Sequence, residues 1–98
     1  MKEIVQDQYG NTVYLTDERW AHIVKRHALL KDRKSDVLKT VRAGKRRQDA
    51  AHLDTFSYLK AFANLPFGYT HIKAIVIFRE KDGKPNNFVM TAYPTTKR

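Results

Sequence analysis

The hydrophobic pattern of this chain changes period near residue 47. Between about residues 17 and 43 apolar residues recur at helical spacing, and past residue 47 they tend to alternate as a strand requires. A chain of helices first and strands afterwards hides both kinds of apolar face by laying helices on one side of a sheet, an α+β layer. The 98 residues are the length of one domain, so one core and one site are expected. A domain of this size hides roughly 60–70% of its unfolded surface, enough to fold without metal or disulfide staples.

Local signals refine that outline. The segments Glu3-Ile4-Val5 and Thr12-Val13-Tyr14-Leu15 flank Tyr9-Gly10-Asn11, a turn signal, and predict a hairpin over 3–15. Thr16 can cap a helix whose first turn carries Asp17 and Glu18, and the pattern predicts that helix over 17–30. Turned at 100° per residue, it gathers Trp20, Ile23, Val24, His27, Ala28 and Leu30 on one face. After the polar break at 31–34, Ser35 is read as the cap of a second helix from Asp36 to Ala43. Gly44, a common residue just past a helix, ends it.

Four strands are predicted beyond the change of period, at 48–53, 55–65, 69–80 and 88–93, rich in aromatic and β-branched residues. Their connections are short and hold Asp, Asn, Gly and Pro, which favours antiparallel pairing. The run Ala74-Ile75-Val76-Ile77-Phe78 is continuously apolar and marks a central strand. The expected fold is thus an N-terminal hairpin and two helices packed on a four-stranded antiparallel sheet.

Charge narrows the partner. Nineteen Lys and Arg against ten Asp and Glu give a formal charge of +9, an excess that favours a polyanion, with RNA foremost. The chain has no cysteine, which excludes a disulfide framework, a thiolate metal site and a cysteine nucleophile. It also shows no apolar leader and no run long enough to span a membrane. A cytoplasmic protein without membrane association is the expectation.

Several residues could carry chemistry. His27 lies among Trp20, Ile23, Val24 and Leu30 on the face that must dock on the sheet. It is either a core histidine bonded to a carbonyl or an imidazole tuned by burial to move protons near neutral pH. His22 stands five residues before it, about 140° away on the helix, so the two cannot share a metal from one face as a spacing of four would allow. With Arg19 and Arg26, His22 forms either a solvated surface or an anion-binding rim. No metal and no cofactor is expected.

In the last strand, alternation sets Thr91 and Tyr93 side by side, two hydroxyls suited to a phosphate or sugar and equally to ordinary strand packing. Phe56, Tyr58, Lys60 and Phe62 share a face of an earlier strand. Lys60 there either snorkels at an edge or stands in a basic cleft with aromatic walls, where Tyr58 would meet substrate. The tail Thr95-Thr96-Lys97-Arg98 could hold a phosphate through Lys97.

The order of these features, with Leu15-Thr16-x-x-Arg19-Trp20-x-His22-Ile23-x-x-x-His27 followed by a strand meander and Val89-x-Thr91-Ala92-Tyr93, resembles the phage- and bacteria-associated branch of the barnase/EndoU/colicin/RelE-like nuclease superfamily. The likeness runs from about Val13 to Lys97 and rests on short motifs. It implies a metal-independent endoribonuclease of toxin type, held by an acidic antitoxin or immunity protein. It further implies catalytic roles for His27 and Thr91, with Lys60 as the accompanying basic strand residue. Barnase-type chemistry pairs a carboxylate with a histidine, and no carboxylate falls into the expected cleft, so a second catalytic group stays unassigned. The alternative is a non-catalytic nucleic-acid-binding or antitoxin-interacting module on the same scaffold.

Overall fold

A computed structural model of the chain describes residues 1–96. Strand β1 (Lys2–Gln6) turns back into β2 (Thr12–Thr16), which runs directly into helix α1 (Asp17–Arg26). A 3₁₀ turn (Ala28–Leu30) joins α1 to α2 (Lys34–Ala43). Then come β3 (Lys45–Gln48), β4 (Thr55–Ala61) and β5 (His71–Ile77). A small ribbon, β6 (Glu80–Lys81) with β7 (Lys84–Pro85), precedes the long β8 (Asn87–Thr95). Among the described residues no helix is long and apolar enough to cross a membrane.

The α+β class holds, but the main sheet has six strands in the order β1-β2-β8-β5-β4-β3. The N-terminal hairpin is not a separate appendage. It joins the sheet through a short parallel pairing of Val13 with Asn87 and Tyr14 with Phe88, reinforced by a 3.1 Å hydrogen bond from Asn87 Nδ2 to the Thr12 carbonyl. That pairing was illegible because it links segments more than seventy residues apart, whereas a hairpin announces itself locally.

Other boundaries moved for physical reasons. Helix α1 stops at Arg26, and His27 follows as its C-cap at φ −133°, ψ 75°. Helix α2 begins at Lys34 without a side-chain cap, so Ser35 lies inside its first turn rather than before it. The predicted strand 48–53 is displaced: β3 is Lys45-Arg46-Arg47-Gln48, and Asp49 turns the chain by accepting from the amides of Ala51 (2.8 Å) and His52 (2.9 Å).

Both helices cover one face of the sheet. Ile23, Leu30, Val37 and Val41 are fully buried against Val13, Leu15, Tyr58, Ile72, Ala74, Val76, Val89 and Ala92. Gly44 lets α2 run straight into β3. A β-carbon there would stand 2.4 Å from the Thr40 carbonyl oxygen and 2.9 Å from that of Leu59.

One polar cluster sits inside this core. Asp7, 5% exposed, accepts from the amides of Tyr9 (2.9 Å) and Asn11 (2.8 Å) and from Asn11 Nδ2 (3.1 Å). The Tyr58 hydroxyl, from β4, also donates to it. Burial opposes ionisation of Asp7, but these donors outweigh it and hold the carboxyl below its ordinary range. Burial and the adjoining carboxylate push the Tyr58 phenol well above its usual value, so it stays a donor. The Arg46 guanidinium lies 4.5 Å from the Tyr9 and Phe56 ring centroids and 4.0 Å from Asp7. The middle cation of the basic run Lys45-Arg46-Arg47 is thereby absorbed into structure.

Candidate active site

The pairing of β2 with β8 ends at Tyr14 and Phe88, which frees one side of β8 for the rest of its length. Helix α1 and the 3₁₀ turn pack along that freed side. Thr16 positions the helix by accepting from the Arg19 amide at 3.0 Å, so its start and rotation are fixed one residue after the strand.

Between helix and strand runs a groove of about 560 Å³. Helix α1 contributes Arg19, His22, Arg26 and its cap His27, and β8 contributes Met90, Thr91 and Tyr93. The register shift between Ile75 and Val76 marks an irregularity that leaves Met90 out of the pairing. Beyond it Thr91 pairs with Ile75 and Tyr93 with Lys73. By strand alternation these four residues lie on the face opposite the buried Ile72, Ala74 and Ala92.

Two imidazoles therefore reach one groove. The 140° separation expected between His22 and His27 applies only inside a regular helix. His27 leaves the helix with non-helical dihedrals, so its side chain is not bound to that angle. The His27 ring lies 5.8 Å from the Tyr93 ring, inclined at 42°. It is half-buried, and burial first, then the nearby Arg26 charge, lower its pKa below the ordinary value of 6.5. At neutral pH this ring is predominantly the neutral base.

Six of the nine residues singled out in the sequence thus line one groove: Arg19, His22, Arg26, His27, Thr91 and Tyr93. Two do not. Tyr58 is completely buried and spends its hydroxyl on Asp7, so it is no substrate contact. Lys60 pairs with the buried Ile72, on the helix-covered face, and its ammonium lies 4.9 Å from the Phe62 ring centroid. It snorkels along an aromatic neighbour, away from Thr91. Lys97 falls outside the described residues.

Lys73 was missed. It is the cation directly across from Tyr93 on the groove side of the sheet. The apolar run from Ala74 onward marks β5 as a central strand, yet alternation through His71, Lys73 and Ile75 leaves Lys73 on the more open face. Among the described residues, no group of three or more His, Cys, Asp or Glu is placed to hold a metal ion.

No protein-family model, curated protein or solved structure matches the chain.

Proposed function

We propose that this protein is a metal-independent endoribonuclease whose active site is the groove between α1 and β8. The observation that carries the reading is the convergence there of two imidazoles, two guanidinium groups and a threonine hydroxyl. The resemblance noted in the sequence supports the same reading.

RNA supplies its own nucleophile. The ribose 2′-oxygen attacks the adjacent phosphorus, the bond from phosphorus to the 5′-oxygen breaks, and a 2′,3′-cyclic phosphate and a 5′-hydroxyl result. His27, kept neutral by burial and Arg26, takes the 2′ proton. His22, the second imidazole of the groove, returns a proton to the departing 5′-oxygen. Each well-placed transfer is worth about 10²–10⁴-fold in rate. Arg19 and Arg26 neutralise the phosphate, Thr91 donates to a phosphoryl oxygen, and Lys73 approaches from the neighbouring strand. This assignment fills the second catalytic role without a carboxylate.

The toxin-type role implied by the resemblance, with an acidic antitoxin or immunity protein as cognate partner, belongs to the same reading, and the +9 charge supports it. The test is cleavage of total RNA in the presence of EDTA, with analysis of the new termini. Wild-type protein should leave cyclic phosphates, and His27→Ala and Thr91→Ala should each lower the rate at least 10²-fold. Intact RNA, or equal cutting by the variants, would defeat the proposal; salt-sensitive binding without cutting would favour the non-catalytic alternative.

A further inference from the structure

The six-stranded sheet ends in β1 on one side and β3 on the other, and the two edges are finished differently. Strand β3 is the basic run Lys45-Arg46-Arg47 with Gln48, and Gln8 reaches over from the β1–β2 turn to donate to the Gly44 carbonyl at 3.0 Å. Lysine and arginine on an edge keep a further strand away. Strand β1, Lys2-Glu3-Ile4-Val5-Gln6, balances its lysine with a glutamate and carries an isoleucine that is 61% exposed.

The register fixes which backbone groups β1 leaves unpaired. Its ladder with β2 continues at one end through the Asp17 amide, which donates to the Met1 carbonyl at 3.2 Å. At the other end the Asp7 amide donates to the Asn11 carbonyl at 2.9 Å. Both bonds extend the register of Glu3 with Leu15 and Val5 with Val13, so hydrogen-bonded pairs fall on the odd-numbered residues of this hairpin. The N–H and C=O of Lys2, Ile4 and Gln6 therefore point away from β2, and among the described residues no strand receives them. Ile4 stands beside Tyr14 and Tyr14 beside Phe88, their rings 6.1 Å apart. This apolar row lies on the face away from the helices, because the buried Val13 and Leu15 alternate with Tyr14.

We propose that β1 is a dimer edge, pairing antiparallel with β1 of a second copy of this chain about a two-fold axis at Ile4. That register sets Ile4 against the partner's Ile4, Lys2 against the partner's Gln6 and Glu3 against the partner's Val5. Every outward-facing residue then exchanges both its backbone bonds, and no like charges stand opposite each other. The row Phe88-Tyr14-Ile4 continues across the axis into its own copy. Neighbouring registers, centred on Glu3 or Val5, would set Glu3 against the partner's Glu3 or Asp7. Two-fold pairing of β3 centred within Lys45-Arg46-Arg47 would set cation against cation. Five residues a side fall short of the roughly 20–30 of a standard interface, and each copy carries a charge of +9. The dimer is accordingly weak, with a Kd on the order of 10–100 μM. None of this depends on what the groove does.

Sedimentation equilibrium of the full chain from about 5 to 500 μM tests it. Wild type should pass from monomer to dimer, and added salt should strengthen the dimer by screening the repulsion between two +9 chains. Ile4→Pro removes an outward N–H without touching the bonds to β2, a substitution an edge strand tolerates. It should melt near wild type and associate about tenfold more weakly or worse. Because the chain has no cysteine, Ile4→Cys supplies a single thiol. Opposed residues of a hydrogen-bonded pair have Cα atoms about 5.5 Å apart, within disulfide range. Mild oxidation should therefore couple Ile4→Cys into dimers, and Leu53→Cys, comparably exposed at 68%, should stay monomeric. Hydrogen exchange at Lys2, Ile4 and Gln6 should slow as concentration rises, while Glu3 and Val5 stay unchanged.

A wild type that is monomeric throughout overturns the proposal, as does a folded Ile4→Pro protein that dimerises like wild type. Equal coupling of Leu53→Cys and Ile4→Cys, or a dimer that protects β3 rather than β1, overturns it too. Should Ile4→Pro fail to fold, the exchange pattern of the wild type and the coupling of Ile4→Cys decide the matter.

Discussion

Replacing Tyr58 by phenylalanine isolates one hydrogen bond in the core. The ring and its packing against the helices remain, and only the hydroxyl that donates to Asp7 is lost. A hydrogen bond to a charged acceptor contributes about 1.5–3 kcal/mol. Asp7 keeps the Tyr9 and Asn11 amides, the Asn11 side chain and the Arg46 guanidinium at 4.0 Å, so its carboxylate is not stranded. A loss near the middle of the range, about 2 kcal/mol, is expected, or a fall in Tm of about 10 °C for a domain of this size.

The pH dependence carries a sign. Asp7 has a folded-state pKa below its unfolded one, so the stability it confers is present above the unfolded value and is lost as pH falls through the folded value. The gap between wild type and Tyr58→Phe should therefore be full at pH 7 and should narrow in acid, where the carboxyl is protonated in both proteins. Urea unfolding across that range measures it. Tyr9→Phe serves as control, since the Tyr9 ring meets Arg46 and its hydroxyl is not what holds Asp7; it should change stability by less than about 0.5 kcal/mol. A Tyr58→Phe protein within about 0.5 kcal/mol of wild type at neutral pH, or a gap indifferent to acid, would refute the reasoning.

Three further outcomes are expected. Gly44→Ala forces a β-carbon against two backbone carbonyls and should cost about 2–3 kcal/mol in urea unfolding, while Gly10→Ala, at φ +87° but with open space around it, should cost about 1–2 kcal/mol; the reverse order would contradict the packing of α2 on β4. Because Arg26 helps to depress the His27 pKa, Arg26→Ala should move the acid limb of kcat/KM to higher pH, and a limb that stays or moves lower would remove His27 as the base. Lys60→Ala, off the groove beside Phe62, should cut RNA within about twofold of wild type, whereas a loss of 10²-fold or more would place Lys60 in the chemistry after all.

Local signals were read correctly where the physics is local. The Thr16 cap, the acidic first turn of α1 and the hairpin at Tyr9-Gly10 all stand in the structure. The groove was legible because helical rotation and strand alternation had already gathered Arg19 with His22 and Thr91 with Tyr93. What failed required pairing register. Tyr58 and Lys60 share a face with Phe56, as alternation says, but only the register of Tyr58 with Ala74 and Lys60 with Ile72 shows that this face lies under the helices. Lys73 was passed over for the complementary reason, its exposure being set by neighbours on β4 and β8. The parallel pairing of β2 with β8 leaves no local mark in either strand, and with it the freed side of β8, on which α1 comes to rest, stayed hidden.

Chemical shifts of the labelled protein, titrated with an uncleavable 2′-deoxy oligonucleotide, address the groove most directly. The ring protons of His22 and His27 and the amides of Thr91 and Tyr93 should move first and furthest, and the amides of α2 should stay in place. Shifts centred on α2, or imidazole signals indifferent to saturating oligonucleotide, would contradict an RNA site between α1 and β8.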